Sequence, residues 1–123
     1  MAYIWIVLGA IAGASARYFL SGYVAKSFAS AFPYGTLLIN ISGSFLLGFF
    51  LVLTSERLLV DTRWRLLIAV GFCGSYTTFS SYAFETFALF EQGQWLLVAW
   101  NVIASNLLCL ASVVAGAALA RWL

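Results

Sequence analysis

Four long apolar runs separated by short polar connections organise this chain. They lie near Tyr3–Val24, Tyr34–Thr54, Leu66–Phe90 and Trp95–Trp122. Each is long enough to cross a hydrocarbon core about 30 Å thick, which takes roughly 20 helical residues. Most of them lack the polar face that a soluble amphipathic helix shows. The first link, from Lys26 to Pro33, holds the only proline, and the second, from Glu56 to Arg65, holds five of the ten charges. The third is the polar turn Glu91-Gln92-Gly93-Gln94. Links this short make successive helices antiparallel neighbours. The pattern therefore predicts one all-α membrane domain over residues 1–123, with four transmembrane helices.

Composition excludes most other classes. Hydrophobic residues make up 64% of the chain, aromatics 18% and charged residues 8%, against about 25% charged in soluble domains. So few charges cannot cover a water-facing surface. The net charge of +2 is carried by scattered Lys and Arg, which gives no footprint for nucleic acid. Cys73 and Cys109 fall inside apolar runs and match no redox or metal spacing, so they read as small packing residues. The run AGASA (Ala12 to Ala16) resembles a signal-peptide cleavage site, but no basic residue precedes the apolar stretch. The N-terminal run is expected to be retained as the first membrane helix. Arg57, Arg63, Arg65 and Arg121 would lie on the side of the termini, against Lys26 and Arg17 on the other, a small excess that only weakly favours cytoplasmic termini.

Small residues recur at helix-contact spacing as Gly9 and Gly13, Ser44 and Gly48, and Ser112, Gly116 and Ala120. In lipid such stripes let backbones approach closely, and packing is their assigned role. Polar groups at membrane depth ask for a stronger reason. Arg17 either snorkels to the interface or lines an aqueous vestibule. Glu85 is either a transport residue or a buried, hydrogen-bonded carboxylate. Thr36 and Asn40 share a face of the second helix, while Asn101, Ser105, Cys109 and Ser112 share a face of the fourth. Such a stripe is interhelical glue or the lining of a path.

The stretch GFCGSYTTFSSYAFE (Gly71 to Glu85) shifts that balance. Gly71, Gly74 and the run from Ser75 to Thr78 combine weak helix formers with side chains that bond locally to backbone, predicting a break near Gly74 to Thr78. Freed carbonyls suit a cation, and the new helix N-terminus suits an anion. Phe79 and Tyr82, three residues apart, share a face just after the break. Their ring edges carry partial positive charge and could stabilise an anion without trapping it, or the rings could simply pack in a core. With the hydroxyls of Thr77, Thr78, Ser80 and Ser81 alongside, a small-anion channel follows from the residues.

At these residues the chain resembles the Fluc (CrcB) family of fluoride channels. The resemblance rests on Gly9, Gly13 and Arg17, on GTLLINISGSFLLG (Gly35 to Gly48), and on GFCGSYTTFSSYAFE. The patterns GT-x3-N-x2-G and TTFS-x4-E occur in order within short spans. It implies an antiparallel, dual-topology homodimer in a prokaryotic inner or plasma membrane. Two fluoride pores and a central structural sodium ion, held by the backbone carbonyls of Gly74 and Thr77, are implied as well. Asn40 would position the pore phenylalanines and serve the ion, Phe79 would be the first of those rings, and Ser80 and Ser105 would supply hydroxyls. Thr36, Arg17 and Glu85 also occupy family positions.

Three positions depart from the family pattern. Ser75 stands for a second glycine, Tyr82 for the second pore phenylalanine, and Asn101 for a tyrosine seen in some relatives. The implied activity is passive fluoride export that relieves toxicity. The alternative from another class is a proton-coupled small multidrug transporter with Glu85 as proton carrier. Such transporters place their carboxylate in the first helix, where this chain has only Arg17. With no histidine and no nucleophile elbow, an enzyme is not expected.

Overall fold

The computed structural model describes residues 1–123 and contains helices and turns but no strand. Helix α1 spans Ala2–Ser27. Helix α2 spans Tyr34–Val52 and runs on through a wide turn, Leu53–Arg57. Helix α3 covers residues 62–76, beginning with Thr62–Arg65, widening to i→i+5 bonding over Leu66–Cys73, and ending with Gly74–Tyr76. Helix α4 is Phe79–Glu91 and α5 is Trp95–Trp122. Three helices, Ala2–Ser27, Tyr34–Arg57 and Trp95–Trp122, are long and apolar enough to cross a membrane. Between the second and third of these, α3 and α4 stand as two half-helices in place of a continuous span.

Local chemistry sets these boundaries. The third crossing begins at Thr62 rather than at Leu66, because Asp61 caps it by accepting the Arg63 N–H at 2.9 Å. Between α4 and α5 the chain reverses at Gly93, whose φ of +70° is open to a residue without Cβ. At the opposite end of the bundle the Arg121 guanidinium makes two 3.0 Å bonds to the Glu56 carboxylate, and Arg57 donates to the Arg121 carbonyl. Those groups are exposed, so they align the ends of α2 and α5 without contributing much stability.

The helices pack in two close pairs, α1 with α3 and α2 with α5. Both seams follow the small-residue stripes. A methyl group on Gly9 would overlap the Leu67 carbonyl oxygen, and one on Gly13 the Phe72 carbonyl oxygen. On the other seam, a methyl on Gly48 or Gly116 would overlap the Val113 or Phe45 carbonyl. Ser112 adds a 2.7 Å bond to the Ile41 carbonyl. With no hydrophobic drive between helices in lipid, such backbone contact and dispersion hold the pairs together. Only 18 of the 123 residues are buried within the chain, so most apolar side chains face outward, as a lipid-solvated bundle requires.

Candidate ion pathway at the helix break

The break between α3 and α4 is two residues long. Thr77 (φ −79°, ψ 157°) and Thr78 (φ −153°, ψ 118°) are extended, whereas Gly74 stays helical at φ −62°, ψ −30°. The interruption is thus narrower than the expected Gly74 to Thr78 stretch. Two consecutive threonines favour it, because β-branching disfavours the helix and each hydroxyl has a local partner. Thr77 Oγ1 donates to the Cys73 carbonyl at 2.9 Å. Thr78 Oγ1 caps α4 by accepting the Ser81 N–H at 3.2 Å and donates to Ser81 Oγ at 3.1 Å; Ser80 Oγ lies 3.3 Å away.

Asn40 on α2 completes the break. Its Oδ1 accepts the Thr78 N–H at 2.8 Å, and its Nδ2 donates to the Thr78 carbonyl at 3.0 Å. The amide side chain thereby replaces the two ladder bonds that Thr78 would make in a continuous helix. Without it, two peptide groups at membrane depth would be unsatisfied. The N–H that would otherwise close onto the Gly74 carbonyl is taken by Asn40, and the Thr77 carbonyl accepts no hydrogen bond from the chain. Gly74 is exposed, with nothing within 4 Å of its would-be Cβ. The Gly74 end of the break is therefore open on the outside of the chain.

Two residues absent from the sequence expectations brace the same turn. Ser42 Oγ and Tyr76 Oη are 2.8 Å apart, and buried Tyr76 stacks on Phe72 with ring centroids 5.4 Å apart. Gly43 leaves room for the Thr77 methyl group, which would overlap any Cβ there. Ser42, two residues after Asn40, carried no sequence signal beyond its polarity, because its partner is 34 residues away in the chain.

Beyond the break, Phe79 and Tyr82 form a tilted pair with centroids 5.3 Å apart and planes at 58°. Phe79 is 77% exposed and faces off the chain. A recess of about 340 Å³ gathers Asn40, Thr77, Thr78, Phe79, Tyr82 and Ser105. A second recess of about 840 Å³ gathers Arg17, Lys26, Thr36, Thr78, Ser81 and Glu85. Thr78 lines both, so the break forms the wall between them. Ser80 is exposed beside it. Of the expected residues, Gly74, Ser80 and Asn101 line neither recess.

Glu85 and Arg17 share the larger recess without pairing; the two ion pairs of the chain are Arg63 with Asp61 and Arg121 with Glu56. Thr36 Oγ1 instead donates to Glu85 Oε1 at 2.7 Å, tying α4 to α2, while Oε2 is buried without a partner. On the far side of α4, Asn101 Nδ2 donates to Thr86 Oγ1 at 2.8 Å. Thr86 Oγ1 donates to the Tyr82 carbonyl at 2.7 Å, and Ser105 Oγ to Asn101 Oδ1 at 3.3 Å. Thr86 was also missed from sequence. It sits next to Glu85 and four residues after Tyr82, a spacing that marked it as facing the Tyr82 turn but not as a partner of Asn101.

A helix broken at membrane depth, its peptide groups held by an amide, with hydroxyls and aromatic edges on either side, defines a multi-pass α-helical membrane protein built around a polar path. Residues 4–117 match the family model described as CrcB-like protein, Camphor Resistance (CrcB). The chain belongs to the CrcB family. A relative from Koribacter versatilis, named Fluoride-specific ion channel FluC, is 62% identical over 97% of this chain and 94% of its own. One of the same name from Sulfurihydrogenibium sp. is 45% identical over 98% of each chain. Another from Methylococcus capsulatus is 49% identical over 94% of this chain and 51% of its own. The family is one of ion channels rather than enzymes, and the chain is a multi-pass prokaryotic membrane protein.

Proposed function

We propose that this chain conducts fluoride passively across a prokaryotic membrane, exporting it down its gradient and so relieving its toxicity. The observation that carries the reading is the two-residue break at Thr77 and Thr78, held open by Asn40 beside the Phe79 and Tyr82 pair. Fluoride is small and strongly hydrated, so a narrow path must replace its water with N–H and O–H donors. Asn40, Ser80, Ser81 and Ser105 carry such groups around the break, and relatives up to 62% identical are named fluoride-specific channels.

The working unit is an antiparallel, dual-topology homodimer with two pores. The exposure of Phe79 and of the Gly74 side of the break supports this, since both would otherwise face lipid. A central sodium ion fits the donor set. The Thr77 carbonyl has no partner and the Gly74 carbonyl has lost its ladder N–H, which leaves two hard oxygen ligands without a bond from the chain. Bound there, the ion would supply a fixed positive charge that raises anion occupancy nearby without lining the path. Arg17 and Lys26 make the larger recess attractive to anions on entry. Glu85, held by Thr36, orients α4 rather than carrying protons.

Efflux of fluoride and of chloride from proteoliposomes tests the reading directly. Electrogenic fluoride efflux, with chloride far slower, is expected. Drug-driven proton flux without fluoride current would overturn it in favour of the multidrug-transporter class.

A further inference from the structure

The hydrogen bonds behind Ser105 have only one possible direction. The Tyr82 carbonyl has lone pairs and no hydrogen, so the Thr86 hydroxyl must donate to it at 2.7 Å. Its single hydrogen spent, Thr86 Oγ1 can only accept, and the Asn101 amide must present Nδ2 to it at 2.8 Å. That orientation turns Asn101 Oδ1 toward Ser105, 3.3 Å away. Oδ1 only accepts, so Ser105 donates its one hydrogen backwards, away from the recess it lines with Phe79 and Tyr82. Asn101 is 1% exposed, so no bulk water competes for this arrangement.

We propose that Asn101, oriented by Thr86, is a positioning residue for anion discrimination that withholds the Ser105 hydrogen from the path until a strong acceptor takes it. This rests on the channel reading above and specifies how one of its hydroxyls works. At rest Ser105 shows lone pairs to the recess, which repel an anion. The bond to Asn101 is long for O–H···O, so it is weak enough to be broken by an acceptor of concentrated charge such as fluoride. A larger, weaker acceptor such as chloride leaves it in place. The selectivity of this hydroxyl thus comes from competition between the anion and Asn101 Oδ1, with Thr86 setting the direction of the relay.

The test is the ratio of fluoride to chloride efflux from proteoliposomes of the full chain. Thr86→Val keeps the shape of the side chain but removes the hydroxyl, so the Asn101 amide is free to turn over and donate to Ser105. The Ser105 hydrogen would then stand in the recess for any anion. The ratio is expected to fall about three- to tenfold, the worth of one neutral hydrogen bond, while Thr86→Ser restores the parental ratio. Adding Ser105→Ala to Thr86→Val is expected to remove the effect, leaving the ratio of Ser105→Ala alone. If Thr86→Val yields no folded protein, Thr86→Ala makes the same test. A parental or raised ratio for the hydroxyl-free variant overturns the relay, as does a parallel loss of both fluxes or a fall that survives Ser105→Ala. Absence of fluoride flux from the unmodified chain would instead overturn the channel reading itself.

Discussion

The two half-helices of the third crossing are held by different physics. In α3, Gly71, Cys73 and Tyr76 are buried, and its backbone touches α1 directly along Gly9 and Gly13. In α4 only Leu89 is buried, while Phe79, Phe84, Phe87 and Phe90 are exposed. What fixes α4 is a set of directional bonds: the Thr78 cap, Thr36 to Glu85, and Asn101 to Thr86. Backbone-to-backbone packing is stiff and tolerates no added atom. Directional bonds to a lightly packed helix place side chains accurately while leaving their outer surfaces open. A path for an ion needs one rigid wall and one whose polar groups are reachable, and the break joins the two.

Four substitutions probe that contrast, in decreasing order of expected effect on the folded protein. Gly13→Leu drives a side chain into the Phe72 carbonyl and is expected to cost more than about 4 kcal/mol, an overpacking effect at the severe end of single changes. Loss of monodisperse protein on size-exclusion chromatography would register it; normal yield would mean that the α1 seam is more plastic than its geometry indicates. Asn40→Leu strips both bonds from the Thr78 peptide, costing about 2–6 kcal/mol at roughly 1–3 per unsatisfied group. A lowered melting temperature together with lost fluoride efflux is expected.

Phe79→Ile touches an exposed ring, so stability and assembly should hold while fluoride efflux is abolished. Efflux at the parental rate would show that the ring edge plays no part. Tyr82→Phe should do least. The phenol oxygen makes no hydrogen bond, whereas the ring stays paired with Phe79, so flux is retained or increased. A dead Tyr82→Phe channel would assign the hydroxyl a role of its own. Each of the first pair weakens a wall, and each of the second alters what the path presents.

Much of this was readable before any coordinates. Apolar runs of spanning length place the helices to within a few residues, since a bilayer demands them. Gly9 with Gly13, Ser44 with Gly48, and Ser112 with Gly116 mark the contact faces because small residues at helical spacing have little other use in lipid, while which helices pair across them came from the fold. The weak helix formers of Gly71 to Thr78 announce an interruption. Its position within that stretch was not readable, because Gly74 is free to be helical and remains so, Thr77 still closes the last turn onto the Cys73 carbonyl, and Thr78 is drawn out of the helix by Asn40 and Ser81. Nor did the apolar pattern reveal that Asp61 caps the helix, so the third crossing starts at Thr62 instead of Leu66.

For the candidate site the division is similar. Asn40, Phe79, Tyr82 and Ser105 stand out from their residue types and their resemblance to a family, and the fold gathers them around one recess. Ser42, Tyr76 and Thr86 do not stand out, because a hydroxyl in a membrane helix satisfies itself on its own backbone as readily as on a neighbour. Arg17 and Glu85 invite pairing by charge, yet Glu85 takes Thr36 and Arg17 takes no carboxylate.

The amino-acid sequence alone determined that the chain lives in a membrane, how many times it can cross, which faces touch, and that the third crossing is interrupted. These follow from local quantities: hydropathy, residue size, and the intrinsic cost of keeping Gly, Ser and Thr helical. Only the tertiary structure decided which peptide is freed, which amide replaces its lost bonds, and which way each hydroxyl points. Those outcomes depend on groups far apart in the chain meeting at hydrogen-bond distance, as Asn40 meets Thr78 and Asn101 meets Thr86. A hydrogen bond loses its energy within a fraction of an ångström and a few tens of degrees, so no spacing along a sequence specifies it.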